Sequence, residues 1–167
     1  MPDRKTIEAA RRDKAEGKSP SVQAGEFVRE EIHKIRRGEH GARSPEQAIA
    51  IGLSEARRAG VDLPPPAKGK VSERTRKSAE YAYKAGQGER QPRHSERRSR
   101  AIKSALKREP RSSASHEALS EHAREAAARR TPAERSAAAK RAAKTKGPTE
   151  RRAAARKAAQ TRASERK

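Results

Sequence analysis

Apolar residues fall on a helical period at the start of this chain and vanish toward its end. Residues 3–16 are mostly polar, with Ile7 the one large apolar residue, and Gly17 followed by Ser19-Pro20 breaks the stretch. This predicts a short polar first helix. From Ser21 onward Ala24, Phe27, Val28, Ile32 and Ile35 recur at three- and four-residue intervals, the spacing of one helix face. Gly38 stands where a left-handed C-terminal cap would follow Arg36 and Arg37, so a second helix is predicted over 21–37.

The third helix carries the clearest signals. Ser44 suits the N-cap, Pro45 the first helical position, and Gln47 lies three residues after the cap. Ala48, Ile49, Ile51, Leu53 and Ala56 follow, and Gly60 marks the stop. Excised, Ala48-Ile49-Ala50-Ile51-Gly52-Leu53 would pass for a strand, but the cap before it and the polar continuation after it favour a helix over 45–59. Ile49, Leu53 and Ala56 share a face while Ile51 points roughly opposite. The helix is therefore expected to pack between two neighbours, the 21–37 helix and Ile7 of the first helix. Phe27, Val28, Ile32, Ile35, Ile49 and Leu53 are the expected core.

Leu63 and the run Pro64-Pro65-Pro66 close this unit with a stiff, extended exit, which places a boundary at residue 66. The expected organisation is a small helical head domain over 1–66, a basic helical linker region over 67–130, and an Ala/Lys/Arg-rich repeat tail over 131–167. Helical segments are expected near 72–85, 96–109, 114–130, 132–146 and 149–163. The last two form an internal repeat: Thr131-Pro132-Ala133-Glu134-Arg135 aligns, sixteen residues on, with Gly147-Pro148-Thr149-Glu150-Arg151. Each copy continues with a triple Ala, a basic pair and a double Ala.

Composition changes how the second half is read. Leu, Ile, Val and Phe total only 15 of 167 residues, and after Leu119 there is no Ile, Leu, Val, Met, Phe, Tyr or Trp. No packed core can form there, so the tail is expected to be disordered or conditionally helical. The fold class is accordingly mainly α: a small three-helix N-terminal unit followed by a basic, partly disordered helical tail.

Charge divides the chain in the same way. Residues 1–66 hold 13 Lys+Arg and 11 Asp+Glu, a net +2, whereas residues 67–167 hold 30 and 11, a net +19. A polycation of this kind implies a polyanionic partner. With no cysteine there is neither a disulfide framework nor a thiolate metal site. The longest apolar stretch, Ala48 to Leu53, is far too short to span a membrane, and Asp3, Glu8, Asp13 and Glu16 argue against a targeting peptide. A cytoplasmic or nucleoid location is expected.

The candidate phosphate contacts are Arg135, Lys140, Arg141, Lys144, Lys146, Arg151, Arg152, Arg156, Lys157 and Arg162 in the tail. On a helix Lys140, Arg141 and Lys144 project to one side, with Ala138, Ala139, Ala142 and Ala143 covering much of the other; Arg156 and Lys157 recur against Ala154, Ala155, Ala158 and Ala159. Mutual repulsion should keep these segments partly unfolded until phosphates neutralise them. No zinc-finger spacing and no basic-zipper heptad is present, so sequence-independent binding is expected.

Other candidates are weaker. Arg43 beside the helix N-terminus at Ser44 offers a second phosphate site, although capping alone accounts for Ser44. Tyr81 and Tyr83 would diverge on a helix and make a poor stacking platform. His33, His40, His94, His116 and His122 lack metal-ligand spacing. Adjacent Glu30 and Glu31 read as a solvated face rather than an acid/base pair. A helix-turn-helix reading of 21–37 and 45–59 fails because the second helix is apolar where base contacts are needed. No catalytic residue, metal site or cofactor is assigned, and the chain reads as a non-enzyme.

The segment Gln23-Ala24-Gly25-Glu26-Phe27-Val28-Arg29-Glu30-Glu31-Ile32, then His40-Gly41-Ala42-Arg43-Ser44, Gln47-Ala48-Ile49-Ala50-Ile51-Gly52-Leu53-Ser54 and Ala56-Arg57-Arg58-Ala59-Gly60, resembles a family of short basic proteins of bacteria and some viruses. That family is catalogued as a domain of unknown function (6496), and its members often carry labels such as plasmid stabilisation or DNA-binding protein. The resemblance covers roughly residues 1–66 and brings no catalytic residues. The tail is similar in composition to linker-histone and histone-like bacterial tails. The expected function is sequence-nonspecific binding of nucleic acid, DNA favoured over RNA, in a nucleoid-associated or architectural role. An RNA-directed, ribosome-associated protein is one alternative. Another is a protein-interaction module in plasmid maintenance, its head binding a partner or a second copy.

Overall fold

A computed structural model describes residues 3–91 and 95–164, the side chains of Thr145, Lys146 and Glu150 excepted. The described residues form a mainly α structure. Its helices are α1 (Arg4–Ala15), α2 (Pro20–Arg37), α3 (Pro45–Arg58), α4 (Glu73–Gly86), α5 (Glu96–Arg108), α6 (His116–Ala128) and α7 (Pro132–Ser164), with a single 3-10 turn at Ser112–Ala114 between α5 and α6. The chain divides into two compact units, Met1–His122 and Ala123–Lys167.

Local chemistry sets the helix ends. The side chains of Asp3, Ser72 and Ser95 accept backbone N–H groups in the first turns of α1, α4 and α5. Ser44 Oγ accepts from Gln47 N–H at 3.3 Å while Gln47 Oε1 accepts from Arg43 N–H at 2.7 Å, so two otherwise orphaned donors are satisfied at once. Gly38 ends α2 at φ 81°, ψ 18°, its N–H returned to Ile35 O.

In the first unit α2 packs against α1 on one side and α3 on the other, and α3 packs in turn against α4. One buried cluster comprises Ala10, Ala24, Phe27, Ala56 and Val61, with Ile7, Leu53, Ala59 and Leu63 against it; the other comprises Ile35, Ala42, Ala48 and Ala114, with Ile32. Of the expected core, Phe27 and Ile35 are fully buried, while Val28, Ile32, Ile49 and Leu53 are only half-buried. Alanines and a glycine take the closest positions because the helices approach too tightly for larger side chains. A Cβ on Gly52 of α3 would lie 2.7 Å from Val28 Cα of α2.

The second neighbour of α3 is α4 rather than α1, a correction to the expected packing; Ile7 reaches the shared cluster from α1, which packs on α2. The α3–α4 contact is tight for the same reason as α2–α3. A Cβ on Gly86 would sit 1.8 Å from Arg57 O and 3.1 Å from Gly60 N. Ala79 and Ala82 supply the rest of the buried face of α4. Compact packing thus continues past Pro66 to His122. Arg57, itself buried, donates to Leu63 O at 3.0 Å and Pro64 O at 3.4 Å, which ties the start of the proline run back onto α3.

A further tie joins the turn after α2 to the segment after α5. Gly41 N–H donates to Leu106 O at 2.8 Å and Ala42 N–H to Pro110 O at 3.1 Å. The approach is so close that a Cβ on Gly41 would meet Glu109 O at 1.9 Å. Arg36 Nε adds a hydrogen bond to Ala114 O at 2.8 Å. These contacts hold the C-terminal end of α5 and the start of α6 against α2 and α3.

Candidate nucleic-acid interface

In the second unit α7 is helical from Pro132 to Ser164 except at Gly147, whose φ of 64° and ψ of 171° divide it into two arms, with Pro148 starting the second. That backbone geometry is essentially confined to glycine. The first arm begins with a reciprocal cap: Thr131 Oγ1 accepts from Glu134 N–H at 3.2 Å, and Glu134 Oε2 accepts from Thr131 N–H at 2.8 Å. The repeat partner of Thr131 is Gly147, which has no side chain to serve the second arm in this way.

Across Pro132–Ser164 the sequence carries 10 Lys+Arg against 2 Glu. Arg135, Lys140, Arg141, Lys144, Arg151, Arg152, Arg156, Lys157 and Arg162 are all exposed. Lys146 lies on the helix, but its side chain is outside the described residues. Helical geometry brings Lys140, Arg141 and Lys144 onto one face of the first arm and leaves Arg135 on the far side. In the second arm Arg152, Arg156 and Lys157 share a face, whereas Arg151 and Arg162 turn back along the helix. Arg151 Nε donates to Gly147 O at 3.1 Å and Arg162 Nε to Ala158 O at 3.2 Å. The alanines opposite the cations are nearly all exposed, so the arms bury almost nothing of their own.

Arg43, the one candidate outside the tail, is exposed, and its Nε lies 3.7 Å from Glu109 Oε1. The backbone donors beside it are already engaged by Gln47 and Ser44. Tyr83 O–H donates to Asp62 Oδ1 at 2.7 Å, and the Arg90 guanidinium lies 4.7 Å from the centre of the Tyr81 ring. Both tyrosines thus have partners within the fold. Ala48, Gly52 and Ala56 of α3 are buried, so that helix contributes its face to the core rather than to a groove of DNA.

Among the described residues no three His, Asp or Glu side chains are grouped to hold a metal ion; His94 lies outside those residues. No helix among them is long and apolar enough to cross a membrane.

One expectation is overturned at Glu31. Far from lying on a solvated face, it is 1% exposed, its Oε1 has no hydrogen-bond partner, and the His40 ring places Nε2 3.5 Å from that oxygen. Glu30, beside it, is half-buried and pairs with Arg37 at 2.8 Å. Burial pushes the Glu31 carboxyl above the ordinary glutamate range; His40 and Lys34 oppose that rise, while Glu55 and Glu39 add to it. The cationic face of α5 was also passed over in the sequence, although the spacing of Arg97, Arg100, Lys103 and Lys107 carries it.

Residues 14–68 match a family of unknown function (DUF6496), so α2, α3 and the turns around them are similar to that family. The match spans about a third of the chain and leaves the basic second half outside it. No curated protein and no solved structure matches the chain significantly.

Proposed function

We propose that this chain binds nucleic acid through the phosphate backbone, without base-sequence preference, and that it acts as an architectural, nucleoid-associated protein with DNA as its main ligand. The observation that carries the reading is the net +19 over residues 67–167, with nine of the tail cations in open solvent. Two short arms with a cationic face and an alanine face follow a phosphate chain without a packed core, and the break at Gly147 lets them take different directions. Affinity then comes from displaced counterions. The head, residues 1–66, serves as a folded anchor for docking or self-association, with α4 packed against it. The proposal places the protein in the cytoplasm, on the nucleoid.

A second reading has one specific observation in its favour. Between α3 and α4 runs a groove of about 650 Å³ whose apolar lining includes Ile49, Leu53, Val71 and Ala79. A head that binds a protein partner there, with the tail as a localising arm, suits a role in plasmid maintenance.

The test is fluorescence anisotropy of the full chain on mixed-sequence duplex DNA and on structured RNA across a salt series. The parent should show a log K against log salt slope of about −9 if ten cations are engaged. Substituting Lys140, Arg141, Lys144, Arg152, Arg156 and Lys157 by Gln should make that slope shallower by about 5. A shallow parent slope overturns the assignment, and tighter binding to RNA at equal salt transfers it to the RNA-directed alternative.

A further inference from the structure

We infer that α5 is a second, separate phosphate-binding surface, carried on the folded unit rather than on the tail, and that it fits the backbone of a nucleic-acid duplex. The inference rests on the proposed function for its ligand class but on different residues. Helix α5 is weakly integrated in the first unit: none of its residues is buried, and Ile102 is 53% exposed. Only its C-terminal end is fastened, through Leu106 O to Gly41 and Pro110 O to Ala42.

By helical period Arg97, Arg100, Lys103, Lys107 and Arg108 cover one side, and Ala101, Ile102, Ala105 and Leu106 lie across the other, with Arg98 among them in the first turn. All five cations are exposed, and none is ion-paired with a described residue. Elsewhere in the unit Lys18, Arg29, Lys34, Arg37, Arg76 and Lys84 pair with carboxylates, while Lys5, Arg11 and Arg12 of α1 do not; what marks α5 is its density of charge, six Lys and Arg against one Glu in 13 residues. Glu96 is the single acid in α5, and it sits in the first turn, where it complements the helix dipole.

Six like charges on little more than three turns of helix, five of them on one side, repel one another, an arrangement that a bound polyanion relieves. From Arg97 to Arg108 the face extends roughly 16 Å, about five base-pair steps of a duplex. An anionic membrane is the competing ligand for a basic amphipathic helix. The apolar side here offers only Ile102 and the half-buried Leu106 as large residues to insert, so phosphate neutralisation carries the larger share.

The test uses the full chain with Arg100→Gln, Lys103→Gln and Lys107→Gln combined, compared with a charge-matched control on α1, Lys5→Gln, Arg11→Gln and Arg12→Gln. Glutamine keeps the helix propensity of an exposed position, and circular dichroism verifies the fold. On mixed-sequence duplex DNA the α5 variant should lose about 2.7 of salt slope and bind about tenfold more weakly, or worse, at 0.1 M salt, while the control loses under about one. Arg100→Gln and Lys103→Gln alone should each remove about 0.9 of slope. Equal behaviour of the two triple variants sinks the inference while leaving the tail reading intact. Loss of binding to phosphatidylserine vesicles with unchanged DNA binding overturns it in favour of a lipid surface. A parent chain that does not bind DNA removes the proposed function and this surface with it.

Discussion

The Glu31 carboxyl group and the His40 ring lie 3.5 Å apart, Oε1 to Nε2, with the acid sealed from solvent and its near oxygen lacking any hydrogen bond. Both belong to the α2–α3 region, where Lys34 of α2 faces Glu55 of α3 at 3.6 Å. The buried carboxyl is held above its ordinary range chiefly by its loss of water. A group whose folded-state pKa is raised favours the fold while it is protonated. That contribution is complete below the ordinary glutamate pKa of about 4.3 and is lost as pH rises through the folded value. Glu31→Gln, which cannot ionise, should therefore be of similar stability to the parent in mild acid and more stable than it near neutrality. Chemical denaturation at a series of pH values measures the difference; a gap between the two proteins that does not widen with pH removes the argument.

Two glycines on facing helices separate propensity from packing. Gly25 of α2 has no atom within 4 Å of the place where a Cβ would stand, whereas Gly52 of α3 would press a Cβ against Val28 Cα at 2.7 Å and Val28 N at 2.9 Å. Gly25→Ala should stabilise the fold by about 0.5–1 kcal/mol, since alanine is the better helix former. Gly52→Ala gains the same propensity but forces α2 and α3 apart, and should destabilise by about 1–2 kcal/mol net. Thermal denaturation of the pair must show opposite signs.

The same glycines indicate what could be read from the chain before its structure. Caps and stops were legible because they are local: Ser44, Pro45, Gln47 and Gly38 each act within a few residues. The packing of α3 on α2 was legible from their apolar stripes, but the second neighbour of α3 was not. The α3–α4 contact depends on Gly86 lying against the carbonyl of Arg57 and on Ala79 and Ala82, small residues that carry no hydrophobic stripe. Glu31 reads as solvated from its charge alone, although its spacing, four residues after Phe27 and four before Ile35, puts it on the buried face of α2. In the tail the exposure of the cations was legible because charge needs no tertiary partner, and helical phase divides Arg151 and Arg162 from Arg152, Arg156 and Lys157.

Arg57 gives a third test. Its guanidinium is buried, loses water without gaining a carboxylate, and satisfies the carbonyls of Leu63 and Pro64. Desolvation accordingly lowers its pKa from the usual arginine value. Arg57→Met keeps the apolar stem but leaves both carbonyls without that donor, and should destabilise by about 1–3 kcal/mol. Arg58→Met, one residue on at an exposed position, should change stability by less than about 0.5 kcal/mol. Urea denaturation compares them, and equal effects would mean that the hold on the proline segment contributes nothing.

The tail makes a prediction about helix content rather than stability. Its arms expose nearly every alanine, and the cations of each arm stand within a few residues of one another, so packing adds little to intrinsic propensity against like-charge repulsion. Neutralisation should then act on conformation. Helix signal at 222 nm from the full chain should rise when duplex DNA is added at low salt, and should rise partway in molar salt without DNA, because screening removes repulsion without supplying contacts. Substituting Lys140, Arg141, Lys144, Arg152, Arg156 and Lys157 by Gln should raise the starting helix signal and remove most of the gain on adding DNA. A parent chain whose helix content is the same at low salt, in molar salt and on the duplex would show that repulsion between these side chains does not oppose the helix, and the coupling of folding to phosphate binding would fall.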